Sequence, residues 1–177
     1  MPDVFTKQKR SQVMARIRSR GNRDTELALA AVFRRHGITG WRRHQRLNVR
    51  SRRRRQSAAT SRRTAPGRAG ADSRLRLRVN PDFVFPKRRL AVFVDGCFWH
   101  GCPRHATKPR QHAAFWRKKL AANKARDRKV NRALRAAGWR VLRIWEHELS
   151  QGGRQAERRG QRLLARLSQA LAVRGAA

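Results

Sequence analysis

Acidic side chains are scarce in this chain. Its 177 residues hold 10 Asp and Glu against 46 Lys and Arg, a formal net charge of +36. A chain this short of acids does not neutralise itself and needs a polyanionic partner. Nucleic acid is the usual one, because each neutralised phosphate releases condensed counterions; a membrane surface is the weaker alternative. Long apolar runs are missing as well. No stretch is long enough to span a bilayer, and no apolar leader follows Met1. The chain therefore reads as intracellular and soluble. Cysteine is limited to Cys97 and Cys102, which excludes a disulfide framework. With His nearby, such a close pair reads as metal ligation in a reducing compartment.

What is present is one domain's worth of chain. Residues 1–23 are basic, with Val13, Met14 and Ile17 as thin apolar content at the spacing of a short helix. Asp24-Thr25-Glu26-Leu27 opens a clearer helix, capped by Asp24 or Thr25. Leu29, Val32, Phe33 and His36 share a face, and Gly37 stops it. Residues 42–78 are Arg-rich and poor in core formers, which predicts a mobile basic loop with one short strand at Leu75, Leu77 and Val79. Asp82-Phe83-Val84-Phe85 reads as a strand ended by Pro86, and Lys87-Arg88-Arg89 as a turn. Leu90–Val94 is an unbroken apolar run, as in a central strand covered on both faces. After a loop from Gly96 to about Gln111, a helix runs from about Ala113 to Ala137. Trp116, Leu120, Asn123, Asp127, Val130 and Leu134 lie on one face, and Gly138 ends it. Trp139–Trp145 is another strand, and Leu163, Leu164, Leu167 and Leu171 mark a last amphipathic helix. The order predicts an α/β or α+β sandwich, a small mixed sheet between helices.

Three constellations carry chemistry. Metal-assisted phosphodiester hydrolysis needs carboxylates at the ends of adjacent strands, where they hold Mg²⁺. Asp82 begins one strand and Asp95 ends the next, so a hairpin turning at 86–89 brings them to one open end. Glu26 is a third carboxylate, acting through water. The plainer readings are a turn cap for Asp82 and, for any single buried acid, a salt bridge to one of the many Arg. Next, Cys97-x4-Cys102-x2-His105, completed by His147 downstream, has the donors of a tetrahedral Zn²⁺ site. The alternative is two buried free thiols with unrelated surface His. Last, His100 beside a metal-bound carboxylate suits general acid or base work. Phe98-Trp99 in a Gly-rich loop, with Trp116, has the form of apolar wedges that unstack base pairs; plain core packing is the strong alternative for Trp116.

Pro81-Asp82-Phe83-Val84-Phe85 followed by Asp95-Gly96-Cys97-Phe98-Trp99-His100 resembles the very short patch repair (Vsr) endonucleases. So do Phe115-Trp116, the stretch from Asn123 to Arg128, and Gly138 through Glu146. The opening Arg10-Ser11-x-x-Met14-x-x-Ile17, with Asp24-Thr25-Glu26, does too. The resemblance covers about residues 5–47 and 80–150. It implies a restriction-endonuclease-like α/β fold: a small mixed central sheet flanked by helices, with a structural zinc site. It implies a Vsr-like domain over 1–150, with 48–79 as an Arg-rich insertion, and a C-terminal amphipathic helix over 151–177 packing on that domain. It also implies an activity, nicking one strand of double-stranded DNA 5′ to the thymine of a T:G mismatch left by deaminated 5-methylcytosine. Carried over by position, Asp82 is the catalytic metal ligand, Val94 gives its backbone carbonyl to Mg²⁺, His100 is the catalytic histidine, and Glu26 the supporting acid. Phe98, Trp99 and Trp116 match the intercalating aromatics, and Cys97, Cys102, His105 and His147 the structural zinc. Such a protein is a cytoplasmic, nucleoid-associated bacterial monomer, working beside other mismatch-repair proteins and away from membranes.

The chain departs from the family pattern in three places. Asp95 stands where the best-known pattern has His, which makes it a candidate metal ligand. Cys97 stands where the wider nuclease superfamily has Lys. The insertion at 48–79 is longer than the family's short connection. Two rival functions follow: a related Mg²⁺-dependent nuclease with another target, or a zinc-stabilised DNA-binding module without catalysis. A pure binder gains nothing from Asp82 and Asp95 facing phosphate.

Overall fold

The computed structural model describes residues 22–50, 76–107, 109–150, 152–153 and 155–172, together with Gln8. The short helix expected around Met14 and the middle of the Arg-rich insertion, 51–75, lie outside the described residues.

The first helix does not begin on a side-chain cap. A π-helical turn, Arg23–Leu27, leads into α1, Ala28–Arg35, and Leu27 makes no capping hydrogen bond. Leu29, Ala30 and Phe33 are buried, and Val32 packs against them. His36, expected on this face, is exposed, because the helix has already ended at Arg35.

The main sheet has four strands: β1 (Arg42–Arg43), β4 (Phe83–Phe85), β5 (Leu90–Asp95) and β6 (Arg140–Trp145), in that spatial order. β4 runs antiparallel to β1 and β5, whereas β5 and β6 are parallel, so the sheet is mixed as expected. A second, two-stranded ribbon pairs β2 (Leu47–Arg50) with β3 (Arg76–Val79). The short strand expected at the end of the basic loop over 42–78 is present as β3; the partner strand β2 corrects the rest of that expectation. Leu47 and Val49 alternate on one strand as Leu77 and Val79 do on the other, and the pairing buries Leu47, Val49 and Val79. A two-residue period with a matching partner overrides the low apolar content of the surrounding segment.

Strand alternation divides the core in two. Phe83, Phe85, Leu90, Val92 and Ile144 face α1 and the last helix α4 (Ala156–Ala172), meeting Leu29, Phe33, Leu163 and Leu167. Phe33 is wholly buried there and touches Trp41, Phe83 and Phe85 edge-on or tilted at 5.1–5.8 Å. Burying one side chain of this size stabilises by about 1.5–3 kcal/mol. On the opposite face Val84 and Ala91, with Phe93 and Val141, meet Ala133 and Leu134 of α2 (Ala113–Ala136) and the β2–β3 ribbon. This explains why Leu90–Val94 reads as apolar throughout: both faces of β5 are covered.

α2 stops at Gly138, whose φ of +77° suits glycine best, and Trp139 N–H returns to the Leu134 carbonyl. Arg89, also left-handed at φ +46°, donates to the carbonyls of Ala137 and Gly138. The junction that aims β6 is thus held from the β4–β5 turn. A one-turn helix, α3 (Glu146–Leu149), continues from β6. No helix among the described residues is long and apolar enough to cross a membrane.

Candidate active site and metal centre

Both groups of reactive side chains gather where the parallel strands β5 and β6 end. Asp95 pairs with Trp145 at the last register position. Cys97 and His147 each lie two residues beyond that pair, so the register brings them together. Cys97 Sγ is 3.1 Å from His147 Nδ1. The intervening loop folds back through Cys102 N–H to the Cys97 carbonyl at 2.9 Å. That turn delivers Cys102, whose Sγ lies 3.7 Å from His147 Nδ1 and 3.8 Å from His105 Nδ1. One donor atom from each of the four residues falls within 4.8 Å of all the others.

Donors bound tetrahedrally at zinc distances stand roughly 3.3–3.8 Å apart; the two Cys102 separations fall in this range, and small side-chain shifts would let all four donors hold one metal ion. Burial pushes the Cys97 thiol up to about 11, and the neighbouring Cys102 adds to the rise. Burial, and then the charge of His105, holds His147 below the ordinary imidazole value, in its ligating neutral form. Gly101 shapes the loop. Its φ is +62°, and a Cβ there would run into the Lys124 side chain.

The second group lines an open cleft of about 720 Å³. Glu26, Asp82, Asp95, Asp127 and Glu146 border it, five of the chain's 10 acids. Such a concentration in a chain of net charge +36 calls for a cationic occupant or internal counter-charge. The individual acids divide between these two answers.

Asp82 stands just before β4. Among the described residues it receives one hydrogen bond, from Val94 N–H to Oδ2 at 2.7 Å. Burial lifts its pKa to about 6; the Val94 hydrogen bond opposes this, and Glu26 and Asp95 add to it. This carboxylate is desolvated and weakly compensated, the condition a bound cation would relieve. Glu26, 4 % exposed, instead accepts from Arg43 Nη2 at 2.8 Å, with His44 Nε2 at 3.4 Å. Glu146 accepts the Cys97 N–H at 3.0 Å, joining the cleft to the thiol cluster.

Asp95 has an internal counter-charge. It is 3 % exposed, and both its oxygens are taken by one guanidinium: Arg143 Nε donates to Oδ2 at 2.5 Å and Nη2 to Oδ1 at 2.7 Å. The plainer reading of a buried acid, a salt bridge to Arg, holds here. Arg143 also reaches Asp127 Oδ1 at 2.9 Å and Asn131 Oδ1 at 3.1 Å. Burial works against its charge, but Asp95 and Asp127 outweigh that and raise its pKa.

His100 Nδ1 pairs with Asp127 Oδ2 at 2.7 Å and stands 3.7 Å from Asp95 Oδ1. An imidazole held through one nitrogen by a carboxylate presents the other for proton transfer. Phe98, Trp99 and Trp116 come together, with ring centroids 5.1, 5.2 and 5.9 Å apart. Asn123 fixes this loop by donating to the Trp99 carbonyl at 3.0 Å. Phe115 extends the cluster and is 59 % exposed.

Asp127 and Arg143 were not singled out by the sequence as site residues. Asp127 did carry a signal: an acid on the inward face of a helix, in a chain with few acids. Arg143 carried only its place inside a strand whose other charged residue, Arg140, stands at its start.

Comparison with known proteins agrees with the motif reading. Residues 46–105 match the family described as DNA mismatch endonuclease Vsr. Over 72 residues the chain is 56 % identical to the type II nicking enzyme V.NaeI of Lentzea aerocolonigenes, covering 41 % of this chain and 43 % of that protein. It is 51 % identical over 75 residues to type II nicking enzyme V.XorIIP of Xanthomonas oryzae pv. oryzae, covering 41 % of this chain and 54 % of that one. It is 42 % identical over 67 residues to the DNA mismatch endonuclease Vsr of Escherichia coli, covering 37 % and 43 %. The chain spans about half the length of the curated relatives it matches. The resemblance carried by the Asp-Gly-Cys-Phe-Trp-His block is thereby shown: over residues 46–105 the chain is similar to the Vsr family.

Proposed function

We propose that this protein is a Mg²⁺-dependent, zinc-stabilised DNA endonuclease that nicks one strand 5′ to the thymine of a T:G mismatch. The observation that carries the proposal is the cleft itself. A desolvated carboxylate, Asp82, and a carboxylate-held imidazole, His100, share one basin, which Trp99 of the three-ring cluster also lines.

Asp82 and the Val94 carbonyl would hold Mg²⁺. Val94 presents N–H and C=O to the same edge of β5, and its N–H already meets Asp82. When bound, Mg²⁺ supplies charge neutralisation at the scissile phosphate and acidifies water. His100 moves a proton at Nε2, because Asp127 occupies Nδ1. Glu26 supports the acid cluster from α1's opening turn, with Arg43 as its counter-charge. Asp95 serves as partner of Arg143 rather than as a metal ligand. Phe98, Trp99 and Trp116 enter the duplex beside the mismatch, where a T:G pair is cheaper to unstack than a matched pair. Cys97, Cys102, His105 and His147 would hold Zn²⁺, and so hold the loop bearing Phe98, Trp99 and His100.

The test uses end-labelled duplexes that differ only in one T:G pair, incubated with protein and Mg²⁺. Expected is a single nick 5′ to the mismatched thymine. Asp82→Ala should lower the rate by about 10³-fold, since the metal supplies several kcal/mol of transition-state stabilisation. Equal nicking of matched and mismatched duplexes would sink the specificity, and an unimpaired Asp82→Ala would sink the site. One observation favours a second reading: five of the similar proteins bear the name type II nicking enzyme. A nick confined to another mismatch or site in a duplex panel would select that reading.

A further inference from the structure

We propose that Arg143 is a positioning residue of the cleft: by binding Asp95 and Asp127 together, it leaves Asp127 to orient His100. The inference rests on the nuclease reading of the cleft.

The register explains how Arg143 arrives there. It pairs with Phe93 across parallel strands, so both side chains emerge on the face covered by α2. Its guanidinium carbon lies 5.0 Å from the Phe93 ring centroid. Asp95, two residues beyond Phe93, shares that face. Asp127 and Asn131, four residues apart on α2, come down from above. Nε, Nη1 and Nη2 all donate, to Asp95, Asn131 and Asp127. From the α4 side Arg166 Nη2 donates to the Arg143 carbonyl at 2.7 Å, which fixes the strand itself.

The consequence concerns His100. Two carboxylates approach its Nδ1: Asp127 at 2.7 Å and Asp95 at 3.7 Å. Left to itself, buried Asp95 would compete for that nitrogen and turn the ring. Arg143 occupies both Asp95 oxygens and one of Asp127, leaving Asp127 Oδ2 for the imidazole. Only a planar fork meets these acceptors at once; a lysine ammonium keeps the charge but not the geometry.

Single-turnover nicking of the T:G duplex tests this, alongside duplex binding measured without divalent metal. Arg143→Lys is expected to lower the rate at least about tenfold while duplex Kd changes less than about twofold, since charge is kept and only the fork is lost. Arg143→Met should be slower still. Asp95→Asn added to Arg143→Met removes the competing charge and should recover about tenfold over Arg143→Met alone. An Arg143→Lys protein as fast as the parent overturns the proposal, as does a double variant no faster than the single one. A separate readout needs no nicking. In urea unfolding, Arg143→Met and Asp127→Asn should be non-additive by about threefold or more in the unfolding constant. Additivity overturns the clamp. Should Arg143→Met not fold, Arg143→Gln takes its place in both assays. If the parent itself fails to nick, the nuclease reading falls, and the unfolding cycle still decides the clamp.

Discussion

The thiol–imidazole cluster and the carboxylate cleft lie side by side, joined by Glu146 and the Cys97 N–H, yet they are built in opposite ways. Three of the four cluster donors sit within nine residues of one loop, and the fourth follows from one strand register. The cleft draws its residues from the α1 turn, β3, the start of β4, the end of β5, the following loop, α2, β6 and α3. The cluster is therefore a local device that one ion can organise. The cleft is a tertiary device whose charges must be balanced across the whole sheet. Disturbing the first should act on stability, and disturbing the second on chemistry.

The largest expected effect is on chemistry. His100→Ala should lower single-turnover nicking of a T:G duplex by about 10³-fold with little change in melting temperature, because a positioned general acid or base contributes 10²–10⁴-fold. Asp127→Asn should cost about tenfold, since it orients His100 without touching substrate. If Asp127→Asn proved as damaging as His100→Ala, that division of labour would be wrong.

The cluster should behave in the opposite way. Purified protein is expected to carry one equivalent of zinc by elemental analysis. Cys97→Ser should release the metal and lower the melting temperature by roughly 10 °C, equivalent to about 3 kcal/mol in a chain of this length. A metal-free parent with an unchanged melting temperature in chelator would remove the structural-zinc half of the comparison.

The smallest effect concerns the stability stored against function. Burial raises Asp82 from 3.8 to about 6. The folded state then binds this proton more tightly than the unfolded state does. Stability accordingly falls as pH rises from about 4 to about 6, and the loss is complete above that. Asp82→Asn removes the charge and should stabilise the metal-free protein at pH 8, by at most about 3 kcal/mol, with little gain at pH 4. Urea midpoints at the two pH values check this, and equal shifts at both would show that Asp82 is not held in a desolvated state. Stabilisation combined with lost nicking would mark Asp82 as a residue kept for chemistry.

The strands and helices of the core were legible because each carries its own period. Phe83–Phe85, Leu90–Asp95, Ala113–Ala136 and Arg140–Trp145 fall within a residue or two of their predicted bounds. Of the β2–β3 ribbon, the alternation of Leu75, Leu77 and Val79 made β3 legible, whereas β2 and the pairing were hidden because the Arg-rich segment separates the two halves. The same holds for the acids. Composition made every carboxylate conspicuous, but it did not tell Asp82, with one backbone hydrogen bond among the described residues, from Asp95, forked by Arg143.

By itself, the sequence determined the charge balance, the central apolar strand, the loop that carries two thiols, two rings and a histidine, and the kinship those residues express. These are properties of composition and short spacing, which survive without a fold. Only the tertiary structure decided which acid receives which counter-charge. That depends on strand register and helix packing, which bring Arg143 beside Asp95, 48 positions away in the chain, and Asp127 beside His100, 27 positions away. Electrostatic pairing falls off over a few ångströms, so the role of each charge is fixed by which partner the fold brings near it.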